Sequence, residues 1–235
     1  MAHTVITRQE QKQRTRAALL SAALRLLEHK NLSSVGLREV TRAAGIAPAA
    51  FYRHFRDMDD LGIALVEESL GSMLPVIRGA RSGLTDPDEI VRRSLDVLVG
   101  YLDTQREHFR IIAREKFGGV TRVREAINAE LKLAADELAD DLAVLPDFAG
   151  WNRPDLEMLT GLLVNQMLLL ASTLLDVPAD RPEEAGRVVE VARRQFQLII
   201  VGRRHWLDHP AAGPARPAAH AAPHRAGRDD AAAAG

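Results

Sequence analysis

Residues Leu37 to Phe55 read LREVTRAAGIAPAAFYRHF, and the fold is decided there. Leu37, Val40 and Ala44 fall at i, i+3 and i+7, the apolar face of a short first helix. Gly45 comes directly after that face, where a helix ends most cheaply on a residue that adopts left-handed backbone angles. Ile46 and Ala47 make the turn. Pro48 suits the first position of a second helix, because its missing N–H has no partner there and its φ is preset. On that second helix Phe51 and Phe55, four apart, point inward together. Ala49, Ala50, Tyr52, Arg53 and His54 are left facing outward. Two short helices joined by a tight turn, the second showing small, aromatic and basic groups, suit a DNA major groove.

The charge distribution agrees. Residues 1–56 hold ten Lys/Arg against three Asp/Glu, and the rest of the chain holds 21 against 29, so a net charge of −1 conceals a basic N-terminal segment. Basic charge gathered around such a motif is the electrostatic mark of a phosphate binder. Arg8, Lys12 and Arg16 are expected to add affinity for the DNA backbone. Aromatics make up 4% of the 235 residues, while Ala, Leu, Val and Arg abound, which favours helices over sheets. There is no cysteine, so disulfides, thiolate catalysis and zinc–thiolate sites are excluded. The N-terminal MAHTVITRQEQKQRTR lacks an apolar core and does not read as a signal peptide; a cytoplasmic location is expected.

Outward from the motif, a first helix is expected over residues 9–30, with Leu20, Ala23, Leu24 and Leu27 on one face. A loop covers 31–36. A fourth helix spans about 56–82, with Asp57 as N-cap and Asp59 and Asp60 in the first turn. It touches both the motif and the helices after it, which makes it the natural lever between them. Pro87 opens a helix to about Thr104. A short helix runs from Arg106 to Lys116, and Gly118–Gly119 break it. Val123, Ile127, Leu131, Ala134, Leu138 and Leu142 trace a long amphipathic helix. Met158 to Leu175 contains no charge, yet Thr160, Asn165, Gln166, Ser172 and Thr173 argue for a helix buried on most sides of a bundle rather than a membrane span. The last helix, about 182–207, repeats apolar groups at helical spacing. From Pro210 the chain is Ala/Pro/Gly-biased and is expected to be disordered. The expected architecture is all-α. A helix–turn–helix DNA-binding domain (1–56) joins an effector-binding and dimerisation domain (57–209), followed by a tail (210–235).

GIAPAAFYRHF, with LREVTRAA before it and a long apolar helix after it, resembles the TetR-type (tetracycline-repressor family) transcriptional regulators over residues 8 to about 208. Within that family, LREVTRAAGIAPAAFYRHFRDMDDLG and HFRIIAREKFGG (His108 to Gly119) are similar to the repressors of unsaturated fatty acid synthesis. The resemblance implies a homodimer on a palindromic double-stranded operator. Arg38, Pro48, Ala49, Ala50, Tyr52, Arg53 and His54 would be the DNA-facing residues, with Tyr52 and His54 at positions that hold phosphates. Two family contacts are not carried over: Gly36 stands where a Ser or Thr is frequent, and Met58 where a lysine is.

The second domain is expected to hold an apolar effector cavity. Leu98, Leu102, Phe109, Ile112, Phe117, Leu163, Met167 and Leu170 are its expected lining. The resemblance implies control of lipid genes by a hydrophobic effector such as a long-chain acyl-CoA; a regulator of efflux or another pathway, sensing a different hydrophobic ligand, is the alternative. Arg110 and Arg114, four apart on one face, could meet the anionic end of such a ligand or pair with Glu107 or Glu115 at the surface. His205/His209 and His220/His224 have chelate spacing but no further ligand. No cofactor is expected, and no nucleophile elbow, glycine-rich phosphate loop or di-iron motif supports an enzyme. A reading from another class is a helical lipid carrier or enzyme whose basic N-terminus meets a membrane.

Overall fold

Side chains that satisfy the free N–H groups of a first turn fix where most of the longer helices begin. The computed structural model describes residues 7–208. Thr7 and Glu10 form a capping box at α1 (Arg8–Leu27), the Glu10 carboxylate accepting from the Thr7 N–H at 2.7 Å. Gly36, without a side chain to cap, precedes α2 (Leu37–Ala44). Pro48 opens α3 (Pro48–Phe51). Asp57 caps α4 (Met58–Arg81) by accepting from the Asp60 N–H at 2.7 Å, and Asp60 accepts in turn from the Arg56 N–H at 3.0 Å. Asp86 with Pro87 opens α5 (Pro87–Thr104), and Asn152 opens α8 (Arg153–Asp176). Between these lie α6 (Arg106–Glu115) and α7 (Thr121–Ala143), and α9 (Pro182–Arg203) closes the series. Helices and short 3₁₀ turns are the only regular structure among the described residues.

The described residues are all-helical. Leu19, Leu20, Ala23, Leu24 and Leu27 of α1 pack with Val40, Phe51 and Phe55, all buried, to make a small core. Leu61 and Leu65, at the start of α4, are fully buried in the same continuous core. The rest of α4 joins α5–α9 in a larger bundle. α4 and α7 run parallel: Arg122 meets Asp57 at 3.2 Å near both N-termini, and Arg81 meets Asp141 at 2.8 Å near both C-termini. They approach closely at Gly62, where a Cβ would collide with Leu32 Cδ2 and come within 2.8 Å of Val123 Cγ2.

Three expectations are corrected. The second motif helix is shorter than the aromatic spacing suggests: α geometry stops at Phe51, and the His54 N–H reaches the Phe51 carbonyl at 2.8 Å. This tightened turn still carries Phe55 into the core beside Phe51, ring centroids 5.5 Å apart. α9 ends at Arg203, with a 3₁₀ turn over Trp206–Asp208. α8 is not covered on most sides. It is long and apolar enough to cross a membrane by length and composition alone, but Met158, Leu162 and Leu169 lie on the surface of the single chain. The tail 210–235, and with it His220 and His224, lies outside the described residues, as does His209. Within them no cluster of three or more His, Asp or Glu is placed to hold a metal.

Candidate nucleic-acid interface and effector cavity

Gly45 takes φ 67° and ψ 30°, the left-handed region, and the Ile46 N–H closes back onto the Thr41 carbonyl at 2.9 Å. That closure turns the chain so that α3 crosses α2 with its outer face open. Pro48, Ala49, Arg53 and Arg38 are exposed or half-exposed, Ala50 is half-buried, and Tyr52 is 64% exposed. These residues share one open face of the helix–turn–helix. Phe51, fully buried behind them, fixes the orientation of α3. Lys12 and Arg8 stand exposed on α1. Arg16 is also exposed, and its guanidinium carbon lies 5.2 Å from the Phe55 ring centroid, a cation–π contact that holds it beside the motif.

His54 differs from its neighbours. Its Nδ1 is buried without a hydrogen-bond partner among the described residues. Burial, and then the positive charges of Lys12, Arg16 and Arg53, hold its pKa below the usual imidazole value. With no acceptor at Nδ1, the proton of the neutral ring belongs on Nε2. Glu39 is occupied elsewhere: Lys30 bonds it at 2.5 Å and lowers its pKa.

The bundle contains an apolar cavity among α4, α5, α6, α7 and α8. Its water-accessible volume is about 60 Å³. Of the expected lining, Leu98, Phe109, Ile112, Leu163 and Met167 border it. The other three expected residues do not. Leu102 is buried in the core one turn beyond Leu98, and Leu170 faces the groove between α8 and α9. Phe117 is 86% exposed, because α6 stops at Glu115 and the chain turns back at Gly118 with Phe117 outside.

The wall from α4, namely Leu70, Met73, Leu74, Ile77 and Arg81, escapes the sequence reading. Its signal is present as apolar residues at i, i+3, i+4 and i+7. Leu131, Ala134 and Leu138 of α7 complete that side. Arg81 is the one charged residue of the lining.

Arg110 and Arg114 do not face the cavity, nor do they pair within α6. Arg110 Nη1 bonds Glu28 at 2.8 Å. Arg114 donates from Nη1 to the Leu27 and Lys30 carbonyls, each at 2.9 Å, and from Nη2 to the Glu28 carbonyl at 3.3 Å. A cation at the end of α1 satisfies carbonyls that have no helical partner and lies at the negative end of the dipole. Next to it the buried Glu115 carboxylate accepts from the Leu32 N–H at 2.8 Å. α6 therefore turns Phe109 and Ile112 to the cavity and grips the DNA-reading domain with Arg110, Arg114 and Glu115. Sequence periodicity assigns the link between domains to α4 alone; the structure adds α6.

A helix–turn–helix with an open basic face, built onto a helical bundle, defines a DNA-binding transcriptional regulator. The chain belongs to the TetR family: residues 19–65 match the bacterial regulatory proteins of the tetR family, and residues 87–201 match the tetracyclin repressor-like C-terminal domain. That family consists of regulators, not enzymes. Among solved structures, the chain is similar to the transcriptional regulator FadR from Bacillus subtilis in complex with stearoyl-CoA (13% identity, 79% of this chain and 98% of that one, TM-score 0.62). It is also similar to the fatty acid degradation regulator FadR from Bacillus halodurans (19%, 76% and 94%, 0.58). NalD, the secondary repressor of the MexAB-OprM multidrug efflux pump in Pseudomonas aeruginosa, matches to the same degree (23%, 79% and 96%, 0.58). At these identities the likeness is one of fold.

Proposed function

We propose that this protein is a cytoplasmic, homodimeric repressor of lipid genes that releases or grips a palindromic operator in response to a long-chain acyl ligand. Arg38, Pro48, Ala49, Ala50, Tyr52, Arg53 and His54 form the DNA-facing surface. Arg53 reaches a base edge or phosphate, Ala49 and Ala50 allow close approach, and Tyr52 and His54 hold phosphates. Two heads joined through α8 and α9 occupy successive major grooves about 34–36 Å apart.

The observation that carries this reading is the double role of α6. A ligand that packs better against Phe109 and Ile112 in one of two helix positions changes the grip of Arg110, Arg114 and Glu115 on the reading domain. DNA affinity then shifts by the difference in ligand affinity between the two states. The similarity of HFRIIAREKFGG to repressors of unsaturated fatty acid synthesis supports an acyl effector, as does the stearoyl-CoA held by one structural neighbour.

The test is fluorescence anisotropy of labelled DNA from upstream of the protein's own gene, with and without saturated and unsaturated long-chain acyl-CoA. A chain-dependent shift in affinity is expected, and Y52A with H54A should abolish binding while leaving the fold intact. Tight DNA binding that ignores every acyl compound removes the effector. Binding to anionic vesicles with no preference among DNA sequences removes the regulator altogether.

A further inference from the structure

We propose that the cavity recognises its ligand by a free carboxylate head held on Arg81, with the apolar tail running toward α6; this rests on the reading of the cavity as the effector site. Arg81 is the last residue of α4, and its side chain is 8% exposed. Its Nε bonds Asp141 at 2.8 Å, and its two terminal nitrogens donate to no protein atom among the described residues. Asp141 is 48% exposed. The cation is buried while its counter-charge stands half in water, so the guanidinium is only partly compensated, and Arg81 is among the residues that line the apolar space. Ser94, the hydroxyl in the same lining, already donates to the Ile90 carbonyl at 2.8 Å.

A neutral apolar ligand would strip water from those terminal N–H groups and return nothing. A carboxylate takes both in a forked pair. The opposite end of the cavity fixes the direction of the tail. Cavity residues of α4 run from Leu70 to Arg81, about 16 Å at 1.5 Å per residue. His108 of α6 bonds Ser69 of α4 at 2.9 Å, so Phe109 and Ile112 lie at the Leu70 end. The arginines of α6 near that end are occupied: Arg110 and Arg114 by α1, and Arg106 by the Leu174, Leu175 and Val177 carbonyls. An acyl chain with its head on Arg81 therefore ends against the helix that grips the reading domain.

The test is isothermal titration of the full chain with dodecanoate, dodecan-1-ol and dodecanoyl-CoA. The acid is expected to bind tenfold or more tighter than the alcohol, the ratio a charged pair of hydrogen bonds supplies. R81Q should erase that preference and leave the alcohol's Kd unchanged. D141N removes the competing carboxylate without touching Arg81, so it should tighten the acid and not the alcohol. This second variant decides the matter if R81Q does not fold. Equal binding of acid and alcohol, or a preference that survives R81Q, overturns the proposal. Binding of the CoA ester alone overturns the head-group assignment but leaves the acyl-effector reading standing. Binding of none of the three overturns both.

Discussion

The Arg114 guanidinium spans two domains, its Nη1 lying 2.9 Å from both the Leu27 and the Lys30 carbonyl. It closes the end of α1 from a helix distant in the chain. Arg114→Met keeps the stem and removes the donors, leaving part-buried carbonyls without partners. The expected loss of stability is about 1–3 kcal/mol, read as a lower urea midpoint with an unchanged m-value. The same variant should weaken the effect of an acyl ligand on DNA affinity more than it weakens ligand binding. Undiminished coupling in anisotropy titrations would remove α6 from the pathway.

Gly118 protects the neighbouring contact. A Cβ there would land on the Glu115 carboxylate that accepts from the Leu32 N–H. Gly118→Ala is expected to push that side chain off its donor and cost about 1–3 kcal/mol. Ala at Gly119, where a Cβ meets nothing within 4 Å, should cost far less. Thermal melts of the two variants make the comparison.

His54 links DNA binding to protons. In the free protein its pKa is held below the ordinary 6.5 by burial and by Lys12, Arg16 and Arg53. Phosphate beside the ring would raise it again, so the complex binds more protons than the free protein. DNA affinity should therefore rise as pH falls from above 6.5 toward the depressed value, and level off below it. Folding runs the other way. Stability from the neutral ring is complete above 6.5 and is lost as pH falls through the folded pKa. His54→Gln should flatten both profiles. An affinity profile that is flat in the wild type would place His54 away from phosphate.

Dimerisation is expected to use the apolar surface of the last two helices. Met158, Leu162 and Leu169 of α8 and Val191, Leu198 and Val201 of α9 are exposed in the single chain. Gln166 and Gln195, 2.6 Å apart, tie the two helices together between those groups. Leu169→Glu combined with Leu198→Glu should convert a dimer to a monomer in sedimentation, with helicity retained, and weaken binding to a two-half-site operator by about tenfold or more. A dimer that survives both charges assigns pairing to another face.

The helices and the reading head are legible along the chain. Gly45, Pro48 and the Phe51/Phe55 pair act through backbone angles and spacing within one short segment, and such local signals are readable in order. The basic charge of residues 1–56 is a sum that needs no coordinates. Which apolar residues border space, and which border one another, is settled only when the helices pack. Leu98 and Leu102 share one face of α5, yet only Leu98 meets the cavity, because that depends on what α4 and α8 leave empty opposite it. Phe117 stays outside the cavity because α6 ends at Glu115 and the chain reverses just past it. Arg110, Arg114 and Arg81 show the same limit for charge. Spacing on a helix places a guanidinium on a face, but its partner comes from a helix distant in sequence. The partner makes Arg114 a clasp on α1, while the one partner of Arg81 among the described residues, Asp141, bonds its Nε and not its terminal nitrogens.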